Sequence, residues 1–185
     1  MRSLLDEAGW KPRDLNAVVV CRGPGSYTGL RVGVMSAKTF AYATGCALLA
    51  LDTFAVVAVR APAAVTRLDV LADAQQNKVY LQPYERVGSG WRPLAPLAIR
   101  PFAEWLQTRD ATAWATGPGL RKWAAQMPAD VPRVDAALWE PDALSLLRLG
   151  RARYQAGERD DLWTVEPLYL RASSAEEQWK ALGRA

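Results

Sequence analysis

Short runs of apolar residues and one longer amphipathic stretch dominate the first third of the chain. Residues 17–21 (Ala-Val-Val-Val-Cys) and 47–51 (Ala-Leu-Leu-Ala-Leu) are continuously apolar. Runs of this length are typical of strands that are buried on both faces. Residues 30–44 between them have helical periodicity, and Gly45 follows where a C-terminal cap belongs. Strand, helix and strand in this order predict a parallel βαβ unit.

The pattern predicts a further helix on each side of this unit. Residues 4–8 fit a short helix that Gly9 stops. After the second strand, Asp52 or Thr53 can cap a helix that ends before Pro62. The predicted order of elements in the first part of the chain is therefore helix, strand, turn, helix, strand and helix.

Residues beyond Pro62 have a different pattern, with shorter and more polar segments. The predicted strands cover residues 68–73, 78–84, 91–99 and 112–116. One predicted helix includes residues 104–106, and another runs from residue 141 to residue 157. A polar turn at residues 75–77 joins the first two strands as a hairpin. The last helix starts at Pro141 and places Ala143, Leu146, Leu147, Gly150 and Tyr154 on one face. We predict two lobes, residues 1–62 and residues 63–185.

Charge and hydropathy narrow the class of protein. The formal net charge is +4, and no polybasic run is present, which favours a mildly basic, solvated surface over a strong nucleic-acid site. No apolar run approaches the roughly 18 residues that a bilayer span needs. Acidic residues follow soon after Met1, unlike in a signal peptide. We therefore expect a cytoplasmic protein.

The residue types exclude several kinds of chemistry. The chain contains no histidine, so a histidine-based catalytic triad cannot form, and the usual zinc and iron ligands are depleted. Cys21 and Cys46 are the only cysteines, and their positions at the edges of apolar runs predict buried free thiols. We predict no catalytic residue, no metal site and no cofactor.

A glycine-rich segment joins the first strand to the long helix. It consists of Gly23, Pro24, Gly25, Ser26, Tyr27, Thr28, Gly29, Leu30, Arg31, Val32 and Gly33. A turn that opens a helix presents free backbone N–H groups and can bind an anion. However, the spacing fits neither a Walker A loop nor Gly-x-Gly-x-x-Gly. A tight turn is the simpler interpretation, and we expect Gly25 and Gly29 to be required for backbone geometry.

This segment closely resembles the Gly-Pro-Gly-Ser-Phe-Thr-Gly-Leu-Arg-Ile-Gly signature of the TsaB (YeaZ) family, with Tyr27 and Val32 as conservative differences. The likeness continues through Ser36-Ala37-Lys38, the strand at 47–51, Asp52-Thr53, Asp73-Ala74-Gln75 and Pro167-Leu168-Tyr169-Leu170-Arg171. It is strong over residues 17–53 and thin between residues 85 and 160.

The resemblance implies an actin-like ATPase (ribonuclease H-like) α/β fold, with two lobes of mixed sheet and flanking helices. The family begins with an Asp-Thr-Ser strand hairpin that this sequence lacks. We therefore expect the first lobe to be incomplete at its N-terminus, through either a late start or a natural truncation.

The resemblance also implies a non-catalytic subunit of the bacterial machinery that makes threonylcarbamoyladenosine in tRNA. Such a subunit binds and activates a TsaD-like catalytic subunit, meets a TsaE-like ATPase through the complex, and can form a homodimer. Contact with tRNA would be indirect or weak, and no membrane is involved. TsaD-like subunits hold a metal through histidines, which this chain cannot supply.

Two other kinds of function remain open at this stage. One is a nucleotide- or phosphate-binding module formed by the turn from Gly23 to Gly29, with Ser26, Thr28 and the glycine amides as donors and Arg31 or Lys38 as the charge. The alternative is an α/β domain that merely retains the turn. A thermal-shift assay with ATP and ADP distinguishes the first of these from the others.

The long helix has two apolar sides. At 100° per residue, Leu30, Val34, Ala37 and Ala41 form a stripe suited to the sheet. Val32, Met35, Thr39 and Tyr42 lie opposite, covered either by another lobe or by a partner. In the family, the first two helices build a four-helix bundle with TsaD or a second copy. The interface predicted from this resemblance comprises Leu4, Leu5, Ala8, Val32, Met35, Ser36, Thr39 and Tyr42.

Overall fold

A two-stranded sheet and a five-stranded sheet, both flanked by helices, make up the part of the chain that this computed structural model describes, residues 2–170. The helices are α1 (Arg2–Ala8), α2 (Tyr27–Thr44), α3 (Thr53–Ala58), α4 (Phe102–Thr108), α5 (Leu120–Trp123) and α6 (Ala143–Gln155). The strands are β1 (Ala17–Gly23), β2 (Ala47–Asp52), β3 (Arg67–Asp73), β4 (Lys78–Val87), β5 (Gly90–Pro93), β6 (Ala98–Pro101) and β7 (Trp114–Thr116). None of the described helices is long and apolar enough to cross a membrane.

The first sheet confirms the predicted βαβ unit. β1 and β2 pair in parallel, with Ala17 opposite Ala47. Successive side chains of a strand point to opposite faces. Accordingly, Val18 and Val20 pack beneath α2, whereas Val19 packs on the other face with residues of α6. The β1 side chains are half-buried rather than fully buried.

The edge of β2 that faces away from β1 is covered by residues from late in the chain. The Asp160 carboxylate accepts a hydrogen bond from the Ala50 amide at 2.7 Å, and the Asp160 amide donates to the Leu48 carbonyl at 3.0 Å. The Arg153 guanidinium donates to the Ala50 carbonyl at 2.9 Å. These bonds satisfy backbone groups that an exposed edge strand leaves unpaired.

Helix α6 returns the chain to the first sheet, where it packs on β1 and β2. Sequence had placed these residues in the second lobe, because nothing local indicates which sheet a helix covers. The helix begins at Ala143 rather than Pro141, because the Asp142 carboxylate caps it by accepting from the Ser145 amide at 2.7 Å. The periodicity puts Ala143 and Leu147 on one face with Leu146, Gly150 and Tyr154, but in the structure Ala143 and Leu147 are exposed.

Helix α3 is apolar on all sides because it lies between the two sheets. Val56 packs with the first sheet, and Phe54, Val57 and Ala58 pack with residues of β3 and β4. This helix therefore joins the two sheets through a continuous apolar contact.

The second sheet has the strand order β5-β4-β3-β7, and β6 pairs with β4. The predicted β3–β4 hairpin is confirmed, with Gln75, Gln76 and Asn77 all at positive φ in its turn. The predicted strand over residues 91–99 is instead two short strands, β5 and β6, that pair with successive parts of β4. Helices α4 and α5 contribute Trp105 and Trp123 to the core on one face of this sheet.

Candidate functional site

The glycine-rich segment begins at Gly23, a position that has no room for a side chain. Gly23 is the last residue of β1 and has a φ of +129°, where residues with side chains are strained. A Cβ atom here would lie 3.0 Å from the Leu168 carbonyl oxygen and 3.1 Å from Leu30 Cδ1. The requirement for glycine is therefore at Gly23, and it arises from both conformation and close packing.

From Tyr27 onward, the segment already belongs to α2. The Ser26 hydroxyl caps the helix by accepting from the Gly29 amide at 3.4 Å, so the helix begins at Tyr27 and not near Leu30. Neither Gly25 nor Gly29 has a positive φ, and a Cβ at either would make ordinary contacts. The prediction that backbone geometry requires these two glycines is therefore wrong.

Two side chains at the start of α2, the half-buried Tyr27 and the exposed Arg31, contact a segment from the end of the described chain. The rings of Tyr27 and Tyr169 lie 4.7 Å apart. The Arg31 guanidinium lies 4.4 Å from the Tyr27 ring centroid, and its Nε donates to the Tyr169 hydroxyl at 3.1 Å. The Leu168 amide donates to the Arg22 carbonyl at 2.7 Å. Arg171, the last residue of the resembling Pro-Leu-Tyr-Leu-Arg segment, lies outside the described residues.

Helix α2 has the two sides that its periodicity predicted. Its buried stripe is Leu30, Val34, Ala37 and Ala41. On the other side, Val32 is 62% exposed, Met35 is 59% exposed and Tyr42 is 71% exposed. Ser36 and Thr39 are exposed as well, whereas Gly33 faces Val20 of β1. We call the exposed side, Val32, Met35, Ser36, Thr39 and Tyr42, the outer face of α2.

Helix α1 is the other part of the predicted interface. Leu4 and Ala8 are exposed, and Leu5 is half-buried. Gly9 ends the helix at a φ of +67°, as the sequence predicted. Leu4 and Ala8 are thus the members of this helix that remain available to a partner.

Metal-binding clusters and cysteine thiols are the groups to consider for chemistry within residues 2–170. No cluster of three or more His, Cys, Asp or Glu side chains is placed to hold a metal ion within residues 2–170. Cys21 and Cys46 are free thiols, as predicted, but both are half-buried. Burial raises the pKa of the Cys21 thiol, which disfavours the reactive thiolate. An open cleft of about 730 Å³, lined by Arg13, Asn16, Thr44 and Arg159 among others, includes none of the glycine-rich segment.

Comparison with known proteins agrees with the resemblance seen in the sequence. Residues 1–150 match the family model described as "TsaD: tRNA N6-adenosine threonylcarbamoyltransferase". The tRNA threonylcarbamoyladenosine biosynthesis protein TsaB of Bacillus subtilis is 30% identical over 97% of this chain and 80% of its own length. TsaB of Escherichia coli is 26% identical over 98% of this chain and 80% of its own length.

A solved structure shows the same relationship. YeaZ from Pseudomonas aeruginosa superposes with a TM-score of 0.77 at 30% identity, covering 91% of this chain and 80% of the YeaZ chain. A second structure from that organism, of a protein with similarity to peptidase YEAZ, superposes with a TM-score of 0.78. The fold is therefore the actin-like ATPase fold of the TsaD-like proteins. Within that class, the chain belongs to the TsaB (YeaZ) family and spans about four-fifths of the length of these relatives.

Proposed function

We propose that this chain is the non-catalytic partner subunit of the bacterial machinery that makes threonylcarbamoyladenosine in tRNA. It binds and activates a TsaD-like catalytic subunit through the outer face of α2, together with Leu4 and Ala8 of α1. The names of its relatives support the role in this pathway. The observation that carries the proposal is the outer face of α2, which is exposed, uncharged and built around the large apolar side chains of Val32, Met35 and Tyr42.

The outer face differs from an ordinary solvated helix surface. A solvated face normally carries charged and polar side chains. The exposed positions of α2 after Arg31 are Val32, Met35, Ser36, Thr39, Tyr42 and Ala43, and none is charged. Depletion of charge, with aromatic residues and methionine enriched, is the composition of an interface core. The stripe from Val32 to Tyr42 is about 15 Å long at 1.5 Å per residue, long enough to pack along a partner helix.

A non-catalytic role agrees with the chemistry of the chain. The sequence has no histidine to act as a base or to hold a metal. The Ser26 hydroxyl is used as a helix cap, and the raised pKa of Cys21 disfavours a thiolate nucleophile. We further propose that a TsaE-like ATPase joins through the complex and that tRNA contacts this subunit only indirectly or weakly. A homodimer would use the same face and would compete with the catalytic subunit.

Phosphate binding by the glycine-rich segment has less support. The Gly29 amide is capped by Ser26, and Arg31 is engaged with Tyr27 and Tyr169. Both groups would have to exchange these contacts for a phosphate. The assay with ATP and ADP remains the test, and a rise in melting temperature with either nucleotide would favour this alternative.

Titration calorimetry against the TsaD-like subunit of the same genome tests the proposed association. We expect saturable binding with a Kd of about 1 μM or tighter and a negative heat-capacity change, because apolar surface is removed from water. Light scattering of the chain alone over the same concentrations serves as the control for self-association. Absence of heat together with separate elution of the two proteins would contradict the proposal.

A further inference from the structure

Residues 160–170, which we call the strap, cross the first sheet on the side of α2. The strap starts at the edge of β2, where Asp160 bonds to Leu48 and Ala50. Leu162 and Val165 then pack with the buried stripe of α2. The Lys38 ammonium of α2 donates to the Val165 carbonyl at 2.9 Å. The strap is therefore attached to α2 along its length.

The strap ends on the glycine-rich segment. The Leu168 carbonyl occupies the space that a side chain at Gly23 would need. Tyr169 packs on Tyr27 and accepts from Arg31, and an aromatic pair of this kind contributes beyond its buried area. Tyr27 and Arg31 of the glycine-rich segment therefore both contact Tyr169 of the same chain.

The strap also carries a large aromatic side chain beside the outer face of α2. Trp163 is 74% exposed, and its ring lies 6.0 Å from that of Tyr42 in an edge-to-face arrangement. The Asp161 carboxylate fixes the backbone here by accepting from the Trp163 amide at 2.7 Å and the Thr164 amide at 3.0 Å. An exposed tryptophan next to an apolar face is typical of an interface hot spot.

We propose that the glycine-rich segment anchors the strap through Tyr27 and Arg31, and that the anchored strap adds Trp163 to the surface that binds the TsaD-like subunit. Tyr27, Arg31 and Tyr169 are positioning residues in this arrangement, and Trp163 contacts the partner. The outer face of α2 and Trp163 are continuous through Tyr42, which is why the same partner is assigned to both. The inference about the partner rests on the proposed function, whereas the anchoring does not.

Hydrogen exchange measured by mass spectrometry tests the anchoring in the full chain. In the Tyr169→Ala variant, peptides from the strap should exchange about tenfold faster, because the aromatic contact that resists local opening is lost. Peptides from β1 and α2 should be unchanged. Tyr169→Phe keeps the ring and should restore most of the protection. Unchanged exchange in Tyr169→Ala would overturn the anchoring role.

Titration against the TsaD-like subunit tests the consequence for binding. Trp163→Ala should weaken the Kd by about thirtyfold, as expected of a hot spot, and Tyr169→Ala by about three- to tenfold. Tyr169→Phe should bind almost as the wild type does. If Trp163→Ala bound with wild-type affinity, the inference about Trp163 would be wrong. The proposed function would stand in that case provided that a charge on the outer face of α2, in the Met35→Glu variant, abolishes binding. Unchanged binding in Met35→Glu would instead count against the proposed function itself.

Discussion

Replacing Gly150 with alanine is expected to lower the free energy of unfolding by about 2 kcal/mol, even though alanine favours helices over glycine by about 1 kcal/mol. Gly150 is buried where α6 meets β1, and a Cβ there would lie 2.6 Å from both γ carbons of Val19. Valine is stiff at χ1 and sits on a paired strand, so it cannot move aside cheaply. Helix and strand would have to separate.

Gly29→Ala is the matched control, since Gly29 is also helical but has room for a Cβ. It should leave the stability unchanged or raise it by up to about 1 kcal/mol. Denaturant midpoints at unchanged m-values measure both effects. If Gly150→Ala were as stable as the wild type, or if Gly29→Ala lost as much stability, the close packing of α6 on β1 would not be what requires glycine at position 150.

Met35→Glu and Tyr42→Glu should each abolish association with the TsaD-like subunit while leaving the fold intact. In the free chain both side chains are mostly exposed, so a carboxylate there should change stability by only about 0.5 kcal/mol. Within a desolvated helix bundle, an unpaired charge costs several kcal/mol. Loss of that size would move a micromolar complex out of the measurable range.

Leu147→Glu provides the matched control for these two variants. Leu147 is 57% exposed, close to the exposure of Met35, but it lies on α6, which covers the opposite face of the first sheet. It should bind as the wild type does. Circular dichroism and melting should be unchanged in all three variants. If Met35→Glu and Tyr42→Glu unfolded, the two residues would belong to a core. If both variants folded and bound the TsaD-like subunit as the wild type does, the outer face of α2 would not be the interface.

The elements that sequence predicted well are those with strong local signals. The apolar run at 17–21 and the helical periodicity from Leu30 are strong local patterns, and β1 and the buried stripe from Leu30 to Ala41 lie where these patterns predict them. The β3–β4 hairpin also has a local cause, its polar turn. The sequence predicts the start of α2 too late because the glycines as far as Gly29 favour a loop, whereas the Ser26 cap begins the helix at Tyr27.

The arrangement of α6 and the strap could not be predicted in the same way. Both depend on contacts with β1 and β2 across more than 100 residues of sequence, such as the bond between Ala50 and Asp160. The need for glycine at Gly23 likewise arises from Leu168 at the far end of the chain. The sequence analysis does not single out Trp163, a large aromatic residue in the short segment Asp161-Leu162-Trp163-Thr164.

Reconstituted modification of tRNA is the most direct measurement of the central claim. The TsaD-like subunit would be supplied with the threonylcarbamoyl donor, its ATPase and unmodified tRNA, and the product counted with and without this chain. We expect this chain alone to make no threonylcarbamoyladenosine, and its addition to the TsaD-like subunit to raise the rate to a saturating level that Met35→Glu does not reach. Modification at the same rate without the chain, or turnover by the chain alone, would contradict the account.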